Sequence, residues 1–134
     1  MANDEAKIKE YMANKRIFNL LEIENTRKIR EIENLEKDIK TLNRAEHYFE
    51  YEIDDVYSKT KKELCSVGDD MVFVADYMNS LNELLRGSNA LQAEHALNMG
   101  KRAAYKEIMR LEEEVDNNSR RLDIMAEDLR KNRP

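Results

Sequence analysis

Apolar residues recur along this chain at alternating spacings of three and four. The clearest section is Ile32, Leu35, Ile39, Leu42, Phe49, Ile53 and Val56, with Glu46 standing in the same frame. Such spacing forms the a/d seam of a coiled-coil helix. Extended backward, the frame places Tyr11, Phe18 and Leu21 on the seam, but also Asn25 and Lys28. Ile17, Leu20, Ile23 and Ile29 lie off it. The pattern therefore predicts one long helix over about 8–64, with its register interrupted near 25–28 and a wider or shifted apolar face there. At 1.5 Å per residue that helix is roughly 85 Å long. Residues 1–7 are polar and are expected to fray.

The first break is Ser66-Val67-Gly68-Asp69-Asp70. Gly68 is suited to end a helix in a left-handed conformation, and Asp69 or Asp70 to cap the next. A short helix over about 70–86 follows. Its face is Met71, Val74, Met78, Leu81 and Leu85, widened by Tyr77 and Leu84, and Val72 and Phe73 make its start apolar almost all round. Arg86-Gly87-Ser88-Asn89 is the second break, with Ser88 or Asn89 as cap. The third helix, about 90–131, carries the seam Leu97, Ala104, Ile108, Leu111, Val115, Leu122, Met125 and Leu129. Asn118 sits on that seam, where an asparagine selects register at some cost in stability. Gly100, inside the helix, marks a close crossing near Ala96, Ala103 and Ala104, or a bend. The expected fold is all-α: a single domain over 1–134, forming an elongated antiparallel helical hairpin or coiled coil with a short helix near the turn.

Composition supports a thin bundle over a sphere. Of 134 residues, 38% are charged and 41% hydrophobic, more charge than a thick interior admits. Disorder is the other charge-rich outcome, but the apolar spacing is sustained throughout. The net charge is -5, and no segment forms a basic stripe, which argues against nucleic acid as partner. No apolar run approaches the length of a membrane span. The polar first ten residues, with Asp4 and Glu5, do not read as a Sec-type signal peptide. The expected location is cytoplasmic.

Little in the chain offers chemistry. His47 and His95 form no two-histidine spacing on one face, and read as solvated or packed. Cys65 is the sole cysteine; no internal disulfide is possible, and it reads as structural at a helix end. Glu112-Glu113-Glu114 with Asp116, and Asp54-Asp55, point in different directions around a helix and read as solvated faces. No phosphate loop, dinucleotide loop or nucleophile elbow is present. The expectation is a protein that is not an enzyme and takes no cofactor or metal.

Leu85-Arg86-Gly87, lying between two predicted helices and followed by Ser88-Asn89-Ala90, resembles the W-x-G turn of the small helical-hairpin proteins of Gram-positive type VII secretion. Leucine replaces the tryptophan, as in LXG toxin domains. The chain looks most like the WXG-like accessory proteins that partner such toxins. That resemblance implies a targeting chaperone or adaptor that binds the helical N-terminal domain of an LXG-type toxin, or a second small helical accessory protein. It also implies export by a route without a cleaved signal. Such proteins carry a Y-x-x-x-[DE] export signal near a helix end. Tyr48–Glu52 and Tyr51–Asp55 have this spacing, but mid-chain, where helix packing is the plainer explanation. Two long helices with one main stripe each, and more aromatic residues than one seam needs, agree with a core completed by another chain. The residues expected to bind the partner are Leu81, Leu85 and Gly87 at the turn, and Ile108, Leu111, Val115 and Leu122 on the third helix. The alternative is a self-associating coiled-coil scaffold in which Asn118 sets the register of a homodimer.

Overall fold

A computed structural model describes residues 2–67 and 71–134, with the side chains of all of these except 67 and 71–73. The expected joint at Gly68, its caps Asp69 and Asp70, and the packing of Met71, Val72 and Phe73 lie outside the described residues. The rest is an all-α hairpin of α1 (Ala2–Val67), α2 (Met71–Arg86) and α3 (Ser88–Lys131). α1 starts at Ala2 rather than near residue 8. Asp4 and Glu5 stand in its first turn, where their charge complements the helix dipole. Arg130 and Lys131 do the same at the end of α3.

The described residues divide into two compact units, Met1–Lys37 with Tyr105–Pro134, and Asp38–Ala104. Unit 1 is the first part of α1 against the later part of α3. Asn25 meets Ser119 and Lys28 meets Glu114, so the two helices run antiparallel. Unit 2 is the later part of α1 against α2 and the start of α3. There Asp54 pairs with Arg86 and Glu46 with Lys101, again antiparallel.

The seam of α1 runs straight through Asn25 and Lys28, against expectation. Leu21, Asn25 and Ile39 are buried, and Tyr11, Phe18, Lys28, Ile32 and Leu35 are half-buried. Ile17, Leu20, Ile23 and Ile29 are exposed, Ile23 by 66%. The face did not shift toward them because the two polar residues find partners on α3. Further along, Phe49 and Val56 turn outward while Ile53, Tyr57, Thr60 and Leu64 are half-buried. The step from Ile53 to Tyr57 is four residues where the heptad needs three, a stutter that rotates the seam.

The seams of α2 and α3 lie where the spacing puts them. Met78, Ile108 and Leu111 are buried. Val74, Leu81, Leu85, Leu97, Ala104, Val115, Leu122, Met125 and Leu129 are half-buried. Tyr77 and Leu84 are exposed and so do not widen the buried face.

Candidate functional site

α2 and α3 are parted only at Gly87. No described glycine has positive φ, so this one is not required for a left-handed turn. A Cβ on Gly87 would lie 2.0 Å from the backbone oxygen of Glu83, a distance no side chain tolerates. The tight exit of the chain over the last turn of α2 is thus what demands glycine. The Gly87 carbonyl also accepts the amide of Leu91 at 3.0 Å, as a cap residue's carbonyl does. Gly87 therefore takes the position expected of Ser88 or Asn89. Gly100 differs: a Cβ there would meet Leu42 Cδ1 at 3.8 Å, an ordinary contact with room for a methyl group.

The residues expected to bind a partner sit largely in the hairpin's own seam. Leu111 is 1% exposed, and Ile108 is also buried. Val115, Leu122, Leu81, Leu85 and Gly87 are half-buried. In unit 1 the first four of these six leucine, isoleucine and valine positions on α3 and α2, those of α3, are covered by α1 of the same chain.

About two turns along α3 from Leu111 lies a polar layer. Asn25 and Asn118 are buried. Asn25 Nδ2 donates to Ser119 Oγ at 3.4 Å, a long bond. Asn25 Oδ1 and Asn118 Nδ2 have no partner among the described residues. Each such buried group costs about 1–3 kcal/mol, so this layer specifies register rather than adding stability. Within this chain Asn118 is buried on the α3 seam.

An ionic network flanks the layer. Lys28 Nζ lies 3.0 Å from Glu114 and 3.3 Å from Glu24. The hydrogen bond to Glu114 raises the Lys28 pKa above its ordinary value, against the lowering effect of desolvation. Arg110 reaches Glu114 at 2.6 Å and also pairs with Glu107. The Lys28 hydrogen bond depresses the Glu114 pKa, and Arg110 depresses that of Glu107. Glu114 is therefore the anchor of a cross-helix network, not part of a solvated face.

Unit 2 carries a groove of about 290 Å³ between α1 and the return arm. Phe49 and Ile53 line it from α1, and Leu91 and Leu97 from α3. Glu46, Glu50 and Glu94 rim it, with one carboxylate oxygen from each within 4.8 Å of the others. Lys101 pairs with Glu46. The signal for this cluster was readable in part: Glu46 and Glu50 are one turn apart, a like-charged pair that helices avoid. The arrival of Glu94 from α3 needed the hairpin register. A wider cleft in unit 1, about 840 Å³, is lined by Ile8, Tyr11, Met125 and Leu129 together with charges of both signs.

Tyr48 and Tyr51 are 65% and 69% exposed, so neither is held by helix packing. The Tyr48 hydroxyl bonds to Glu52, which raises its pKa. Cys65 is exposed. Asp54 and Asp55 are engaged by Arg86 and Lys59. Among the described residues, no helix is long and apolar enough to cross a membrane. Comparison of the chain with family models, with curated proteins and with solved structures found no match.

Proposed function

We propose that this chain is a non-enzymatic helical adaptor or targeting chaperone, which binds a helical partner along the outer faces of its hairpin. The observation that carries this reading is a second apolar face on α1. Met12, Leu20 and Ile23 are 59%, 61% and 66% exposed. Ile23 lies two residues from both Leu21 and Asn25, which puts it on the far side of the helix from the seam. Exposed apolar residues of this density mark interaction surfaces on soluble domains. Each large one that a partner covers contributes roughly 1.5–3 kcal/mol.

The partner proposed is the helical N-terminal domain of an LXG-type toxin. Support comes from the Leu85-Arg86-Gly87 turn, where a Cβ on the glycine would strike the Glu83 carbonyl of the preceding turn. Seam residues such as Ile108 and Leu111 hold the hairpin in shape, and the binding role passes to the outward residues. Co-expression with the N-terminal helical domain of an LXG toxin tests this. Co-purification of a stoichiometric complex, weakened by Leu20→Glu with Ile23→Glu, is the expected result. A complex indifferent to those substitutions, or none at all, would sink the reading.

A further inference from the structure

We propose that the unit 2 groove docks a partner helix that presents leucine-sized side chains one turn away from lysine or arginine. The inference rests on the adaptor reading and names the chemistry of the partner's contact.

The shape of the site comes first. Phe49 and Ile53 are one helical turn apart on α1, and Leu91 and Leu97 span nearly two turns on α3, so the apolar floor runs along the helix axes. A third helix laid in such a trough inserts side chains at spacings of three, four and seven. Phe49 is 42% exposed and Leu91 61%, so each has apolar surface left to cover. A groove of about 290 Å³ takes a few aliphatic side chains and no large ligand.

The charge of the rim selects the partner. Three carboxylates converge, one oxygen of each lying within 4.8 Å of the other two. Lys101 offsets one of them. Glu50 and Glu94 have no ion pair or hydrogen bond among the described residues. Like charges this close repel, and an arriving cation relieves that repulsion. The rim thus favours a basic partner and resists an acidic one, which is how charge confers specificity and register on an apolar contact. Arg86 also lines the groove but is paired with Asp54, so the rim stays acidic. The cleft in unit 1, with Asp4, Glu10 and Asp128 beside Lys7, Lys131 and Arg133, is balanced and makes no such selection. A second copy of this chain, itself at net charge -5, is a poorer occupant than a basic helix.

The test uses the full chain and two synthetic helical peptides of about 20 residues, long enough to form helix in water. Both carry the same leucine face; one flanks it with lysine, the other with glutamate. The lysine peptide is expected to bind about tenfold tighter, to lose that advantage as salt rises, and to shift the amide signals of Phe49, Ile53, Leu91 and Leu97. In E50K/E94K, both exposed positions, the preference reverses while the circular dichroism is unchanged. Equal binding of the two peptides, shifts mapped outside the groove, or a preference that survives E50K/E94K would overturn the proposal. So would a homodimer in sedimentation that E50K/E94K dissociates, since a second copy would then fill the groove. Because the peptides contain no toxin sequence, their failure beside an intact toxin complex removes the groove and leaves the adaptor reading standing. Peptide discrimination without a toxin complex does the reverse.

Discussion

Unit 1 and unit 2 are built from the same kind of charged, heptad-patterned helix, yet they spend their polar residues differently. In unit 1 the polar groups turn inward: Asn25, Asn118 and Lys28 lie on the seam, with Ser119 and Glu114 as partners across it. In unit 2 the seam is mostly apolar, with one half-buried ion pair, Glu46 with Lys101, and Glu50 and Glu94 are exposed on an outer rim. Inward polar groups favour the pairing in which they find partners, as Asn25 does with Ser119 and Lys28 with Glu114. Outward acidic groups beside uncovered Phe49 and Leu91 leave a surface for something else to complete. Between the helices the difference separates two tasks, holding one pairing in unit 1 and opening a groove in unit 2. The exposed Met12, Leu20 and Ile23 lie on the outer side of unit 1, away from its seam.

The largest effect that can break this comparison is in the core of unit 1. Leu111→Ala removes the most buried side chain and should destabilise the chain by about 2–5 kcal/mol, read by urea denaturation. Amide exchange should show the loss in unit 1. A loss confined to unit 2 would mean that the units do not divide the stability as described.

The two glycines come next, as an internal pair within unit 2. Gly87→Ala forces a methyl onto the Glu83 carbonyl and should cost roughly 1–3 kcal/mol, the scale of local backbone strain. Gly100→Ala meets only an ordinary contact with Leu42 and should stabilise by up to about 1 kcal/mol through helix propensity. Equal effects at the two sites would contradict the account of the joint.

The polar layer gives a change of opposite sign. Replacing Asn25 and Asn118 together with leucine removes two buried groups that lack partners, and should raise stability by about 1–3 kcal/mol. The same double variant should lose uniqueness of pairing, visible as broadened or doubled amide signals across unit 1. Higher stability with sharp single signals would show that the register is set elsewhere.

Acidity is the mildest probe. Glu107 and Glu114 have folded pKa values below the ordinary 4.5. Their contribution is therefore complete above that value and lost as pH falls through the depressed ones. Lys28, whose pKa is raised above 10.5, contributes below that value and loses its contribution as pH rises through the folded one. Unit 1 should hold steady between about pH 5 and pH 10 and loosen on either side. Thermal melts that change within that window would count against the network.

Much of the fold was legible because hydrophobic spacing fixes helix faces directly. Every residue assigned to the α3 seam turned inward, and Gly87 fell at a joint. Asn25 and Lys28 misled because polarity alone reads as a break in the seam; only the opposing Ser119 and Glu114 reveal why they belong there. Phe49 and Val56 were assigned inward because the heptad was assumed to continue. The stutter after Ile53 turned Val56 out, while Phe49, ahead of it, stands 42% exposed in the groove. The glutamate rim was hidden for a third reason. Its members come from two helices, and their meeting depends on register, which neither helix contains by itself. The candidate contact surface is thus a product of pairing, whereas the helices are a product of local pattern.

The central claim is that the unit 2 groove is left for a partner to complete, whereas the polar layer inside unit 1 is not a contact surface. Residue-resolved amide hydrogen exchange on the full chain, with and without the lysine-flanked leucine peptide, tests it most directly. The account predicts that protection rises along the α1 and α3 segments that line the groove, around Phe49–Ile53 and Leu91–Leu97, and stays unchanged around Asn25 and Asn118. Protection that rises around Asn25 and Asn118 instead, with the groove segments unmoved, would contradict it.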